Sequence, residues 1–343
     1  MVLKKKPRLA GTAIRRIRPG IGSRVMSTGF VVPPVRYITL FVYFTPAPGR
    51  VGALARWRVA ALPVSRSFRI LIHTMNLIKQ IGGLWSGRRG SLGLALGGGA
   101  ARGIAHIGVI KVLQEEEIPI CCVAGTSIGS VVGAFYCAGK SWREMWEITQ
   151  SISWGELVRP TFSGMGLVKT ERLEKLLVEH LGEITFDDLQ VPLTTVAVDI
   201  MTAEPVLFRS GSVARAARAS ASIPGIFEPI ETEAGQFLVD GGVSDNLPSR
   251  VVREMGASAV LAVDLNRESS DGKTPRNLLD VTFRTFAVLM WNTSREGRED
   301  ADLLLAPDID HIGFHDLGKA EELFAAGEES ARRALPQIRK LAV

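Results

Sequence analysis

The sequence predicts an α/β fold built on a mostly parallel sheet, and three observations carry that expectation. From Ser91 onward, strand-length and helix-length segments alternate. The first strand-length runs are short and apolar, and glycine-rich turns follow them and open helix-like segments. The 343 residues are 46% hydrophobic and 22% charged, the make-up of a globular chain with a sizeable core.

Residues 92–96 (LGLAL) are the first strand and run into Gly97-Gly98-Gly99. The helix expected over about 103–116 is apolar almost all round, so it should be buried. Residues 118–124 form the second strand, followed by the turn Gly125-Thr126-Ser127-Ile128-Gly129. The small, apolar segment 130–138 stops at Gly139, as a helix closed by a left-handed residue does. Thr170 is placed to cap an amphipathic helix that runs to Leu181. Residues 191–200 and 205–209 read as strands, 213–221 as a helix, and 236–239 and 259–264 as further strands. A long helix around 278–291, a strand over 302–306 and a final helical pair from 319 to 341 complete the series. No repeat is visible, and the polar stretch 267–273 is the one linker-like segment after residue 90. Residues 91–343 are therefore expected to form one domain.

The first ninety residues differ in kind. They hold 17 Lys and Arg and no acidic residue; Glu115 is the first of those. The rest of the chain has 24 basic against 35 acidic residues, a net charge of −11, although the whole chain is +6. The basic excess thus belongs to the leading segment and does not imply nucleic-acid binding by the folded part. The apolar run 37–44 is about half as long as a membrane-spanning helix needs, and Pro33, Pro34, Pro46 and Pro48 flank it. Residues 1–67 are expected to be a basic, poorly ordered extension. An arm that holds anionic lipid and a secretory signal are the alternatives, and a true start at Met26 or Met75 would remove part or all of it. Residues 68–90, apolar with basic punctuation, are expected to be a helical lead-in that packs on the domain or on a membrane. Cys121, Cys122 and Cys137 lie in apolar stretches and read as small buried hydrophobes rather than a disulfide framework. No cysteine or histidine spacing suggests a metal. A cytoplasmic location, with peripheral contact to a membrane, is the resulting expectation.

Gly125-Thr126-Ser127-Ile128-Gly129 fits the G-x-S-x-G nucleophile elbow, in which a serine stands on a sharp strand-to-helix turn. Gly125 and Gly129 would let strand and helix approach closely, and the helix N-terminus favours developing negative charge. The other reading is an ordinary glycine turn. The loop Gly97-Gly98-Gly99-Ala100-Ala101-Arg102-Gly103 fails both nucleotide motifs. A dinucleotide fingerprint would need glycine where Arg102 stands, and a phosphate loop would need Lys and Ser/Thr where Ile104 and Ala105 follow Gly103. There is left a set of backbone N–H groups at a helix start, the material of an oxyanion hole. Its candidate donors are Gly97, Gly98, Gly99, Ala100, Arg102 and Gly103, together with Ile128 after the serine. Asp240, followed by Gly241 and Gly242, ends a strand, where sites in α/β proteins are built. Turn chemistry alone would also explain it. Of the five histidines, His311 and His315 are the ones placed downstream of serine and acid, as an α/β-hydrolase triad demands. His106 reads as buried, and His180 as the close of a helix.

Taken in order, the 92–96 strand with its glycine loop, Gly125–Gly129 and Asp240-Gly241-Gly242 closely resemble the patatin-like phospholipase family, bacterial members above all. The likeness extends through 218–229, 243–248 and 301–326, and covers roughly 92–341. It implies a three-layer α/β/α sandwich with a mostly parallel sheet. It further implies a Ser–Asp dyad, Ser127 as nucleophile and Asp240 as base, with the glycine loop, Gly98 and Gly99 foremost, supplying oxyanion donors and no metal or cofactor. The expected activity is hydrolysis of carboxyl esters of lipids or lysolipids through an acyl-enzyme. Acyl transfer to another acceptor, a regulatory or binding protein on the same scaffold, and a triad esterase are the alternatives. Oligomeric state is not readable from the sequence.

Overall fold

The computed structural model describes residues 91–152, 166, 171–266, 274–314 and 316–343. The extension 1–67, the lead-in 68–90, the cap at Thr170, the polar stretch 267–273 and His315 lie outside the described residues. The strands are β1 Leu92–Leu96, β2 Ile120–Thr126, β3 Leu193–Asp199, β4 Glu204–Phe208, β5 Ile230–Glu231, β6 Phe237–Asp240, β7 Ala259–Val263 and β8 Leu303–Leu305. The helices are α1 Ile104–Glu115, α2 Ile128–Cys137, α3 Trp142–Ser151, α4 Glu171–Leu181, α5 Val213–Ser220, α6 Ser249–Glu254, α7 Leu278–Thr293, α8 Arg295–Glu299 and α9 Ala320–Leu341.

All eight strands join one sheet in the order β5-β6-β3-β2-β1-β7-β8, and β4 also pairs with β3. The run β3-β2-β1-β7-β8 is parallel throughout. Pairings at the β3 end, with β4, with β6, and of β5 with β6, are antiparallel. The described residues therefore fold as a three-layer α/β/α sandwich around a mostly parallel sheet.

The alternation in β1 explains why the two faces differ. Leu92, Leu94 and Leu96 point into a large core shared with α1, α2, α5 and α9. Ala95 points the other way, into a thinner layer where Leu247, Val251 and Val252 of the α6 region pack. Large side chains keep one helical layer at a distance, and small ones let α6 sit close to the sheet.

Several features depart from the sequence expectation, among them β5, α6 and α8, which were not expected. The C-terminal segment is one helix of 22 residues, α9, rather than a helical pair, with Pro336 inside it. Pro336 is on the exposed side, where water can bond the carbonyl left without its N–H partner, while Leu323, Ala331 and Ile338 stay buried. Helix α3 was not expected at all. A capping box, Ser141 with Glu144, starts it, and Met145 is its buried contact. Trp142, Met145 and Trp146 stand at helical spacing, and both tryptophans pack against the core.

Candidate active site

Thr126 ends β2, and Ser127 turns the chain into α2 with φ 54° and ψ −127°. A left-handed non-glycine residue is strained, and such strain persists only where surroundings over-determine it. They do so here. A Cβ on Gly125 would lie 2.5 Å from the Gly129 carbonyl oxygen, and one on Gly129 would lie 2.1 Å from the Leu96 oxygen. Hydrogen bonds hold the turn as well. The Ser127 N–H donates to Ser220 Oγ at 2.9 Å, and the Ser220 hydroxyl donates to the Val196 carbonyl at 2.6 Å. The Ser127 carbonyl accepts from Ser130 Oγ at 2.6 Å and from Ser130 N–H at 2.9 Å. The backbone of Ser127 is thus pinned on both sides.

Strand register brings the aspartate to the serine. On β3, Val196 pairs with Thr126 and Leu207, and the next residue, Ala197, pairs with Asp240 and Val206. Strand β4 therefore follows one edge of β3, while β2 and β6 share the other edge end to end. The first runs parallel to β3 and the second antiparallel, so their C-terminal residues, Thr126 and Asp240, arrive head-on.

Asp240 is fully buried. Its N–H donates to the Ser222 carbonyl at 2.9 Å, and its Oδ1 accepts from the Gly242 N–H at 2.8 Å. Oδ2 is buried with no hydrogen-bond partner among the described residues. Burial pushes the carboxyl from 3.8 up to about 7, against the Ser127 hydroxyl and the Gly242 N–H, which both favour the ionised form.

The glycine loop separates the expected donors into two sets. Gly97 N–H donates to the Val263 carbonyl at 3.0 Å and Gly98 N–H to the Asn246 carbonyl at 3.2 Å. Arg102 N–H donates to the Gly99 carbonyl at 3.1 Å, and Gly103 lies inside the short 3-10 turn that begins at Ala100. Those groups are engaged within the protein. The N–H groups of Gly99, Ala100 and Ile128 have no acceptor among the described residues. Carbonyl contacts explain the direction of the first two. Asn266 Nδ2 donates to the Gly98 carbonyl at 2.8 Å, and Arg102 N–H takes the Gly99 carbonyl. A trans peptide sets N–H opposite C=O, so the N–H groups of Gly99 and Ala100 face the other way.

Buried side chains fix this loop from behind. Burial lowers His106 from 6.5 to about 4, against its bond to the Gly97 carbonyl. The ring is therefore neutral, and Nε2–H donates to that carbonyl at 2.8 Å. The buried Arg102 guanidinium reaches the carbonyls of Ile312, Leu265 and Asp310 and stacks over Phe314 at 4.2 Å. His311 is exposed and pairs with Glu322 at 2.6 Å. Met290 and Phe286 of α7, with Ile223 and Ile226, form an apolar cluster against Ala100 and Val243. Ser127 is only 3% exposed.

Sequence reasoning missed Ser220, Asn246 and Asn266. The first two stand in the stretches 218–229 and 243–248 that carried the resemblance, but nothing in their spacing marked a role. Asn266 offered no signal at all, because its contact with Gly98 spans 168 positions. Among the described residues, no group of three His, Cys, Asp or Glu side chains could hold a metal ion, and no helix is long and apolar enough to cross a membrane.

A family model described as patatin-like phospholipase matches residues 94–253. An uncharacterized NTE family protein of Mycobacterium tuberculosis is 37% identical over 176 residues, 50% of this chain and 48% of that protein. Neuropathy target esterase sws of Drosophila melanogaster is 33% identical over 194 residues, 54% of this chain and 13% of that one. Lysophospholipase nte1 of Aspergillus oryzae is 30% identical over 282 residues, covering 73% of this chain and 18% of that one. The chain spans about half or less of the length of these curated relatives. The crystal structure of VipD from Legionella pneumophila superposes with a TM-score of 0.53 at 12% identity, over 74% of this chain and 67% of that one. That last likeness is one of fold.

Proposed function

We propose, from the match of residues 94–253 to the patatin-like phospholipase family model, that the chain is a serine acyl hydrolase of lipid carboxyl esters. The observation that carries the reading is the head-on meeting of β2 and β6, with a pinned, strained serine at one tip and a buried carboxyl at the other. Ser127 Oγ attacks the ester carbonyl as its proton passes to Asp240 Oδ2. Asp240 then hands the proton to the leaving alcohol, and an acyl-enzyme remains. A carboxyl held near 7 is a far better proton acceptor for this step than one at 3.8.

Gly99, Ala100 and Ile128 supply the oxyanion donors, each worth about 2.7–4 kcal/mol to the transition state. Gly97, Gly98, Arg102 and Gly103 shape and hold the loop, and Gly125, Gly129, Gly241 and Gly242 allow the close approach of its neighbours. The α2 N-terminus adds a favourable dipole. The apolar cluster around Met290 and the lysophospholipase and esterase names of the relatives support a lipid or lysolipid substrate. Three free cysteines support a reducing, cytoplasmic setting, and an apolar substrate supports peripheral membrane contact.

The test is a lysophospholipid and p-nitrophenyl ester panel, with fluorophosphonate labelling of Ser127. Wild type should hydrolyse and label, and Ser127→Ala should do neither while keeping its fold. Undiminished hydrolysis by Ser127→Ala sinks the assignment. Labelling of Ser127 without turnover on any ester points instead to a binding protein.

A further inference from the structure

Asn246 is fully buried in the connection between β6 and α6. Its backbone carbonyl holds the Gly98 N–H, and its side-chain Nδ2 donates to Ser294 Oγ at 2.8 Å. Ser294 spends its own proton on the Met290 carbonyl, also at 2.8 Å, so its oxygen can only accept from Asn246. The amide is therefore held in one orientation, with Oδ1 turned away from Ser294. That oxygen is buried and has no hydrogen-bond partner among the described residues, like Asp240 Oδ2.

The two glycines between Asn246 and the dyad locate this oxygen. A Cβ on Gly98 would lie 2.5 Å from Asn246 Oδ1 and 3.0 Å from Ser127 Cβ. A Cβ on Gly242 would lie 3.1 Å from Asn246 Oδ1 and 3.1 Å from Asp240 Oδ1. Asn246 Oδ1 thus borders the same small space as the serine and the aspartate. In the acyl-enzyme the Ser127 hydroxyl that faces Asp240 is consumed, so both buried acceptors are then without donors and make a site for a molecule that carries two hydrogens on one oxygen. Leaving such buried acceptors unpaired is costly.

We infer that Asn246 Oδ1 and Asp240 Oδ2 together form the acceptor subsite that binds the deacylating water, and that Asn246 is a positioning residue which favours water over alcohols. This rests on the acyl-enzyme reading above. Water gives one hydrogen to Asn246 and one to Asp240, and its oxygen attacks the acyl carbon as Asp240 takes the second proton. The tetrahedral intermediate then breaks its bond to Ser127 Oγ. The electron pair stays on Oγ, which recovers the proton from Asp240 as the carboxylic acid leaves. An alcohol has a single hydroxyl hydrogen and can satisfy only one of the two oxygens.

The experiment uses p-nitrophenyl butyrate with and without added methanol, and compares the methyl ester formed with the free acid. Asn246→Ala should retain fluorophosphonate labelling of Ser127, slow hydrolytic turnover, and raise the ester-to-acid ratio about tenfold, the worth of one lost hydrogen bond. Asn246→Asp retains an acceptor oxygen and should restore the low ratio, while its added carboxyl moves the activity profile to higher pH. Ser294→Ala frees the amide to turn and should raise the ratio in the same direction by less. An unchanged ratio in Asn246→Ala, or labelling and hydrolysis falling in step, overturns the inference. Should Asn246→Ala not fold, an unchanged ratio in Ser294→Ala overturns it. A wild type that forms neither methyl ester nor an acyl adduct on Ser127 sinks the acyl-enzyme reading instead.

Discussion

Asp240→Asn should abolish hydrolysis and stabilise the protein at the same time, but only above acidic pH. Folding moves this carboxyl from 3.8 to about 7 because burial penalises its charge. A raised folded-state value means that the folded protein holds the proton more tightly than the unfolded chain does. The resulting advantage is complete below about pH 4, and is lost progressively as pH rises to about 7. Above that, an ionised, buried Asp240 costs about 4 kcal/mol relative to acid conditions, taking 1.36 kcal/mol for each tenfold change in proton affinity. Asparagine carries the shape of the protonated acid and never ionises. The Asp240→Asn midpoint of thermal unfolding should therefore exceed wild type at pH 8 by about 8–16 °C, at about 2–4 °C per kcal/mol for a domain of this size. Near pH 4 the two midpoints should coincide. The assay is calorimetric unfolding of both proteins from pH 4 to 8, with ester hydrolysis measured alongside. Wild-type hydrolysis should rise with pH through about 7, as the base loses its proton. Equal differences in midpoint at pH 4 and pH 8, or a destabilised variant at pH 8, would refute the account of Asp240.

Two further outcomes test the surroundings of the dyad. Ser220→Ala removes the acceptor of the Ser127 N–H and the donor to the Val196 carbonyl. It should lower kcat by about 10- to 100-fold, from the cost of about 1–3 kcal/mol per unpaired buried group, with KM for p-nitrophenyl butyrate nearly unchanged. An intact kcat would show that the elbow holds without it. Met290→Trp should narrow the approach to Ser127 and shift the preferred p-nitrophenyl ester toward shorter acyl chains, whereas Met290→Ala should shift it toward longer ones. Identical chain-length profiles in all three proteins would remove α7 from the substrate path.

The features legible in the sequence were local. The elbow, the glycine loop and Asp240 each announce themselves through a strand followed by residues that only a tight turn tolerates, and β1 through its unbroken apolar run. The proposed donors within the loop were not legible, since Gly97 and Gly99 are alike as residues. Their difference comes from partners far along the chain, Val263 and Asn266 among them. Asn246 was hidden for the same reason. Its meaning lies in Ser294 and in the Cβ-less faces of Gly98 and Gly242, and none of these is spaced to signal the others. Helix α9 misled in the opposite direction, because a proline inside a helix reads as a break unless its exposure is known.

The shared edge of β3 has one more consequence. Ser127 and Asp240 are more than a hundred residues apart, and no local segment of the chain contains both. Strand β3 is the template that abuts them, so catalytic competence must appear only after two separate long-range pairings have closed on one strand. Turnover during refolding is then a late clock that lags helix formation. By the same token, the two halves of the proposed dyad should be able to stand on different polypeptides. A chain cut in the exposed β3–β4 turn near Met201 should regain activity when its fragments are mixed, because each fragment brings one tip and β3 supplies the alignment.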